Sequence, residues 1–183
     1  MKLNFDLPKS FDFPNPLEGE SYKKLKASLL AIMQASKDRL FDAGKDPDGN
    51  TWKPLSSLSK AKRDIKNKKS GQKNSKFKGA HKVLNDTGML RNSLGVAKSA
   101  GAIGATDGDD VTLGTNVPYA AIHNYGGTIV PKNGKVLAFP GLGGVTIFAK
   151  KVVIPARPFM GFGADDNAAI DEKINATFAR AFK

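Results

Sequence analysis

Between residues 58 and 82 the chain carries ten basic residues and one acidic one, a density of like charge that no folded interior accepts. The flanks are nearly balanced, with nine basic and eight acidic residues in 1–57 and ten basic and eight acidic in 83–183. The net charge of +12 therefore belongs to one segment, and the rest does not describe a globally basic, nucleic-acid-binding fold. The charges are Lys60, Lys62, Arg63, Lys66, Lys68, Lys69, Lys73, Lys76, Lys78 and Lys82, with Leu58, Ile65, Phe77 and a few Ala as apolar anchors. Repulsion and the lack of anchors predict an exposed loop or mobile arm, a Lys-rich insertion over 58–82 that is irregular or only partly helical over about 59–80. One core must then form from the two flanks, and 183 residues suffice for a single domain, 1–183.

Residues 1–17 place Pro8, Pro14 and Pro16 among Phe5, Leu7, Phe11 and Phe13, which predicts an extended arm. Phe5, Phe11 and Phe13 are too many to leave in water, so a neighbouring subunit or partner is expected to cover them. From Glu18 to Ala43, Tyr22, Leu25, Leu29, Ile32, Met33, Leu40 and Phe41 recur at three- and four-residue steps, the signature of a long amphipathic helix. Gly44 stops it, and Asp46-Pro47-Asp48-Gly49-Asn50 is a turn. Asp86 or Thr87 caps a short helix carrying Leu90 and Leu94. Gly95–Lys98 and Val111–Thr115 read as a hairpin whose tip holds Asp107, Asp109 and Asp110. A brief helix runs from Pro118 to Asn124, followed by strands over 128–130, 135–139 and 145–154. Asp165 or Asp166 opens a last helix with Ile170, Ile174 and Phe178 on one stripe. This order predicts an α+β fold: a mainly antiparallel sheet packed by the long N-terminal helix and the C-terminal helix, with an extended N-terminal arm and a basic loop.

The absence of Cys excludes disulfides, cysteine zinc sites and thiol nucleophiles. Gly101–Ala105 and Gly141–Gly144 lack the Lys-Ser/Thr of a phosphate loop and read as flexible turns. His81 and His123 have no nucleophile motif around them. No catalytic residue, metal or cofactor is expected. No apolar run reaches the length of a membrane span and no signal peptide is evident, so the chain is expected in the cytoplasm. Lys60 through Lys78 could contact DNA phosphates or an acidic partner, although a single aromatic, Phe77, provides no stacking platform.

Four segments occur in order: Trp52-Lys53-Pro54-Leu55; Leu84-Asn85-Asp86-Thr87-Gly88-Met89-Leu90-Arg91-Asn92-Ser93-Leu94; Val111–Thr115 leading to Tyr119-Ala120-Ala121-Ile122-His123-Asn124-Tyr125-Gly126-Gly127; and Ile154-Pro155-Ala156-Arg157-Pro158-Phe159-Met160-Gly161. The succession resembles the phage virion morphogenesis family, the tail completion and head-tail joining proteins of tailed phages and prophages. The likeness runs from about Gly49 to Lys183; residues 1–17 have no counterpart, and the Lys-rich segment is longer than the pattern requires. The resemblance implies a non-enzymatic virion protein, assembled in the bacterial cytoplasm into a homo-oligomeric, six-fold ring at the head-proximal end of the tail. Its partners would be the tail tube and the neck or connector proteins.

Within that expectation Tyr119, His123 and Tyr125 are interface anchors or local core. Arg157 and Phe159 are expected at a subunit boundary, the guanidinium making a bidentate contact from a proline-stiffened link. The competing reading pairs Arg157 with Asp165 or Asp166 of its own subunit. Trp52 reads as a core plug. The main alternative function is a DNA-binding accessory protein that uses residues 58–82.

Overall fold

A computed structural model describes residues 2–6, 19–70, 82–95, 101–107 and 110–181. Helix α1 (Glu20–Ala43) buries Leu25, Leu29, Leu30, Met33, Ser36, Leu40 and Phe41, the stripe that the sequence spacing predicts. It ends where Gly44 adopts φ 66°, a left-handed conformation in which its N–H donates to Leu40 O at 2.9 Å. The Asp46–Asn50 turn follows, closed by Asn50 N donating to Asp46 Oδ1 at 2.8 Å.

Three antiparallel strands, β1 (Lys2–Asp6), β2 (Ala102–Asp107) and β3 (Asp110–Thr115), form a sheet in the order β1-β3-β2. The central strand buries Val111, Leu113 and Thr115, the period-two pattern of a strand with a core face. Against that face lie α1 and the last helix, α5 (Ala164–Ala181), and Leu25, Leu29, Leu30, Met33, Val111, Leu113 and Ile170 form one cluster between them. A second cluster surrounds the C-terminal half of α1: Leu40, Phe41, Trp52, Leu90, Leu94, Val117, Ala120, Phe159 and Met160. Phe41 meets Trp52 edge-on at 5.6 Å and Phe159 at 5.7 Å, so Trp52 is the plug of this cluster.

Buried polar groups join the helices. Asp166, 3% exposed, accepts from Ser36 Oγ (2.8 Å), Arg39 Nη2 (2.8 Å) and the Gly163 N–H (2.9 Å), tying α5 to α1. Short helix α3 (Met89–Ser93) is fastened to α1 by Arg91, whose Nη1 and Nη2 donate to Asp42 at 2.7 and 2.9 Å while Nε donates to Asp38 at 3.0 Å. That fork holds the Asp42 carboxyl at a pKa of about 2, below the usual carboxylate range.

The remaining elements are smaller. Helix α4 (Ala120–Tyr125) precedes β4 (Gly127–Ile129), β5 (Leu137–Pro140), β6 (Thr146–Ala149) and β7 (Val152–Ile154). These strands form two separate antiparallel ribbons, β4-β7 and β5-β6. The fold is α+β, with antiparallel sheets packed by N- and C-terminal helices, as the residue pattern predicts.

The structure refines four expectations. Residues 57–70 of the Lys-rich segment form a helix, α2 (Ser57–Ser70), for which Lys and Arg are good formers, so the described part of the segment is helical; residues 71–81 lie outside the described residues. Ser56 Oγ accepts the Ser59 N–H at 3.2 Å, a serine cap that starts this helix. The N-terminal arm is extended between Lys2 and Asp6, as expected, and forms an edge strand of its own subunit's sheet, with Phe5 opposite Val111 in register. A strand lies at Ala102–Asp107, so Ile103 to Ala105 form ladder rather than turn; of the strand expected at 95–98, residues 96–98 lie outside the described residues. The apolar run 145–154 is broken at Lys150-Lys151 into β6 and β7, which belong to different ribbons.

Candidate functional site

The four sequence segments meet around one short backbone stretch, 154–160. Trp52 Nε1 donates to Pro158 O at 2.8 Å, and Arg157 Nε donates to Lys53 O at 2.8 Å and Nη2 to Pro54 O at 3.2 Å. The Arg157 N–H donates to His123 O at 2.9 Å. Buried Asn124 accepts the Phe159 and Met160 N–H groups on Oδ1 at 3.0 and 3.2 Å. Gly126 closes α4 at φ 73°, where an added Cβ would stand 2.7 Å from Ala156 N, so this approach of backbones requires glycine. Proline on either side of Ala156-Arg157 limits how far the link can relax.

Over this clamp opens a cleft of about 450 Å³, lined by Leu55 and Arg63 on one side, Leu84 and Asp86 to Leu90 on another, and Tyr119, His123 and Arg157. Its polar groups are unevenly satisfied. Arg63 Nη1 donates to Lys82 O at 2.6 Å, and its Nε faces Asp86 Oδ1 at 3.7 Å. Arg157 is 6% exposed and is held by main-chain carbonyls alone; burial, then the nearby Arg63 charge, pushes its pKa down. His123 packs edge-on against Tyr119 at 5.9 Å, and its buried Nδ1 has no hydrogen-bond partner. Burial, then the Arg157 charge, lowers the His123 pKa, which favours the neutral ring. In the wall, Leu84 holds a left-handed φ of 59°, a conformation that costs a non-glycine residue about 1–3 kcal/mol. Asn85 beside it is 5% exposed with neither side-chain polar atom bonded. Strain and unsatisfied polar atoms thus collect on one side of this cleft.

Of the expected interface residues, Arg157 and Phe159 are interior, 6% and 1% exposed. Arg157 bonds carbonyls of its own subunit and neither Asp165 nor Asp166, and Phe159 belongs to the second cluster. Tyr119 (40%) and Tyr125 (68%) are exposed, with His123 half-buried between them in sequence. Phe5 lies in β1; Phe11, Phe13, Lys73, Lys76 and Lys78 lie outside the described residues. Lys60 is exposed on α2, which also carries Lys66, Lys68 and Lys69. Lys62 and Arg63 turn inward, Lys62 Nζ donating to Pro140 O at the base of the β5-β6 ribbon.

Sequence reasoning missed the ribbons as a surface. Phe148 (66%), Val145 (65%), Val153 (64%) and Val130 (58%) are all open to solvent. Alternating hydrophobicity reads as half-buried, but in β6 and β7 the apolar side chains Phe148 and Val153 stand on the exposed face. A usable signal was present: residues 111–164 contain no Asp or Glu but include Lys132, Lys135, Lys150 and Lys151. Among the described residues no group of three or more His, Cys, Asp or Glu could hold a metal, and no helix is long and apolar enough to cross a membrane.

A sequence model of the phage virion morphogenesis family matches residues 17–179. The chain is also 37% identical over 75 residues to Mu-like prophage FluMu G protein 2 of Haemophilus influenzae, a stretch covering 41% of this chain and 42% of that protein. No solved structure matches.

Proposed function

This chain belongs to the phage virion morphogenesis family, structural proteins without catalytic activity, and from that premise we propose that it completes the phage tail and joins it to the head. In this reading it assembles as a homo-oligomeric ring, six-fold, at the head-proximal end of the tail and presents a surface to the neck. The observation that carries the reading is the pair of ribbons, whose Val145, Phe148 and Val153 are more than 60% exposed. Apolar side chains at that exposure on neighbouring strands are the material of a subunit interface. Tyr119 caps the short helix that carries His123 and Tyr125 and leads into the first of these strands.

Immunogold labelling of purified particles tests the placement. Label confined to the head-tail junction supports it, and label along the tail shaft or absent from particles contradicts it.

A second reading, DNA contact through residues 58–82, draws on the helical form of α2, which arrays Lys60, Lys66, Lys68 and Lys69 along one rod. Lys62 and Arg63 are already spent on main-chain carbonyls, which leaves fewer cations for phosphate. Binding whose affinity falls steeply with salt would favour it.

A further inference from the structure

The cleft over the clamp holds positive charge that its own subunit leaves largely uncompensated. A guanidinium has five N–H donors. Arg157 uses Nε and Nη2 on two carbonyls, and among the described residues no carboxylate pairs with it. Arg63 meets Asp86 only at 3.7 Å, longer than a charge-assisted hydrogen bond. A buried cation without a counter-ion is costly, and an arriving anion recovers that cost. The rim narrows the choice of anion. Leu84, Met89 (52% exposed) and Tyr119 (40% exposed) offer apolar contact beside the cations, and about 450 Å³ admits a side chain and its neighbours but not a duplex backbone.

The same chain carries carboxylates in want of a cation. Asp48 and Asp165 are exposed and unpaired among the described residues. Both line a second cleft, of about 740 Å³, between the turn after α1 and the start of α5. Arg39 there is committed to Asp166, and Lys45 is the other cation present. A closed ring needs two different, complementary patches on each subunit, one meeting the other head to tail.

We propose that the cleft formed by Arg63, His123 and Arg157 receives a carboxylate of a second copy of this chain, supplied by Asp48 or Asp165, and that this contact links adjacent subunits. The inference rests on the ring reading and adds the residues that join one copy to the next. Burying a charge-assisted contact in an apolar rim gives register to an interface whose area comes from the exposed ribbons.

The test uses the full chain in four forms: wild type, Arg63→Gln, the pair Asp48→Lys with Asp165→Lys, and that pair combined with Arg63→Glu. Arg63→Gln keeps a donor for the Lys82 carbonyl while removing the charge, so it guards against misfolding; circular dichroism melts establish which variants are folded. Association is measured by sedimentation over a concentration series to the millimolar range. Expected are at least tenfold weaker association for Arg63→Gln and for the Asp pair, and recovery when the charges are exchanged across the contact. Wild-type protein that stays monomeric throughout overturns the ring reading and this contact with it. Wild-type oligomers that folded Arg63→Gln or the folded Asp pair leaves unchanged, or that charge exchange does not restore, overturn this contact alone.

Discussion

Arg157 Nε donates to Lys53 O at 2.8 Å across 104 positions of sequence. Together with Trp52 Nε1 on Pro158 O, this bond fixes the segment after α1 against the link that precedes α5. The floor of the candidate cleft is therefore a structural clamp.

Arg157→Ala is expected to act on folding. It strands two carbonyls in a part-buried site and should cost about 2–3 kcal/mol, with Arg157→Lys recovering part through one retained donor. Urea denaturation monitored by Trp52 fluorescence reads this directly. A loss under about 0.5 kcal/mol would mean that the clamp is not holding the chain.

Asp166→Ala removes the acceptor shared by Ser36, Arg39 and Gly163, and a loss of about 3 kcal/mol is expected in the same measurement. Asp166→Asn should be milder, because an amide oxygen still accepts. Equal losses for the two would argue that packing, not charge, matters there.

His123 gives stability a pH dependence of known sign. Its folded pKa lies below 6.5, so the unfolded chain takes up the proton first; the contribution is full above 6.5 and is lost as pH falls through the folded value. Arg157, Arg63 and Asp86 also face this cleft. Melting temperature should fall from pH 7 toward pH 5 in wild type and fall less in His123→Gln. Parallel curves for the two proteins would remove His123 from the account.

Asp42 should titrate near pH 2 by NMR, and Arg91→Met should return it to the ordinary carboxylate range. Its contribution is present above the unfolded value of 3.8 and is lost as pH falls through about 2. An unshifted Asp42 in the wild-type protein would contradict the fork geometry.

Much of this was legible in the residue pattern, and each gap has its own physical cause. The three- and four-residue steps of α1 and α5 found both helices because each buries a continuous stripe against one core. The Lys-rich segment was legible only in part, because charge density opposes burial without opposing a helix, and Lys62 and Arg63 turn inward to main-chain carbonyls. Arg157 misled differently: its proline-flanked setting signalled a rigid donor correctly, but sequence cannot say whether carbonyls 104 residues away or another subunit receive it. The ribbons went unread because alternation signals a strand, not what covers it.

Phe148→Asp should leave the monomer's stability within about 0.5 kcal/mol, since the side chain is 66% exposed, while assembly is lost. Folded mutant protein that still incorporates into particles would show that the β5-β6 ribbon is not an interface.

The central claim, that this chain is a structural component completing the tail and joining it to the head, is tested most directly by electron microscopy of particles assembled without it. Predicted are filled heads and separate tails of irregular length, with junctions restored when the protein is supplied in trans. Complete, infectious virions formed in its absence would contradict the claim.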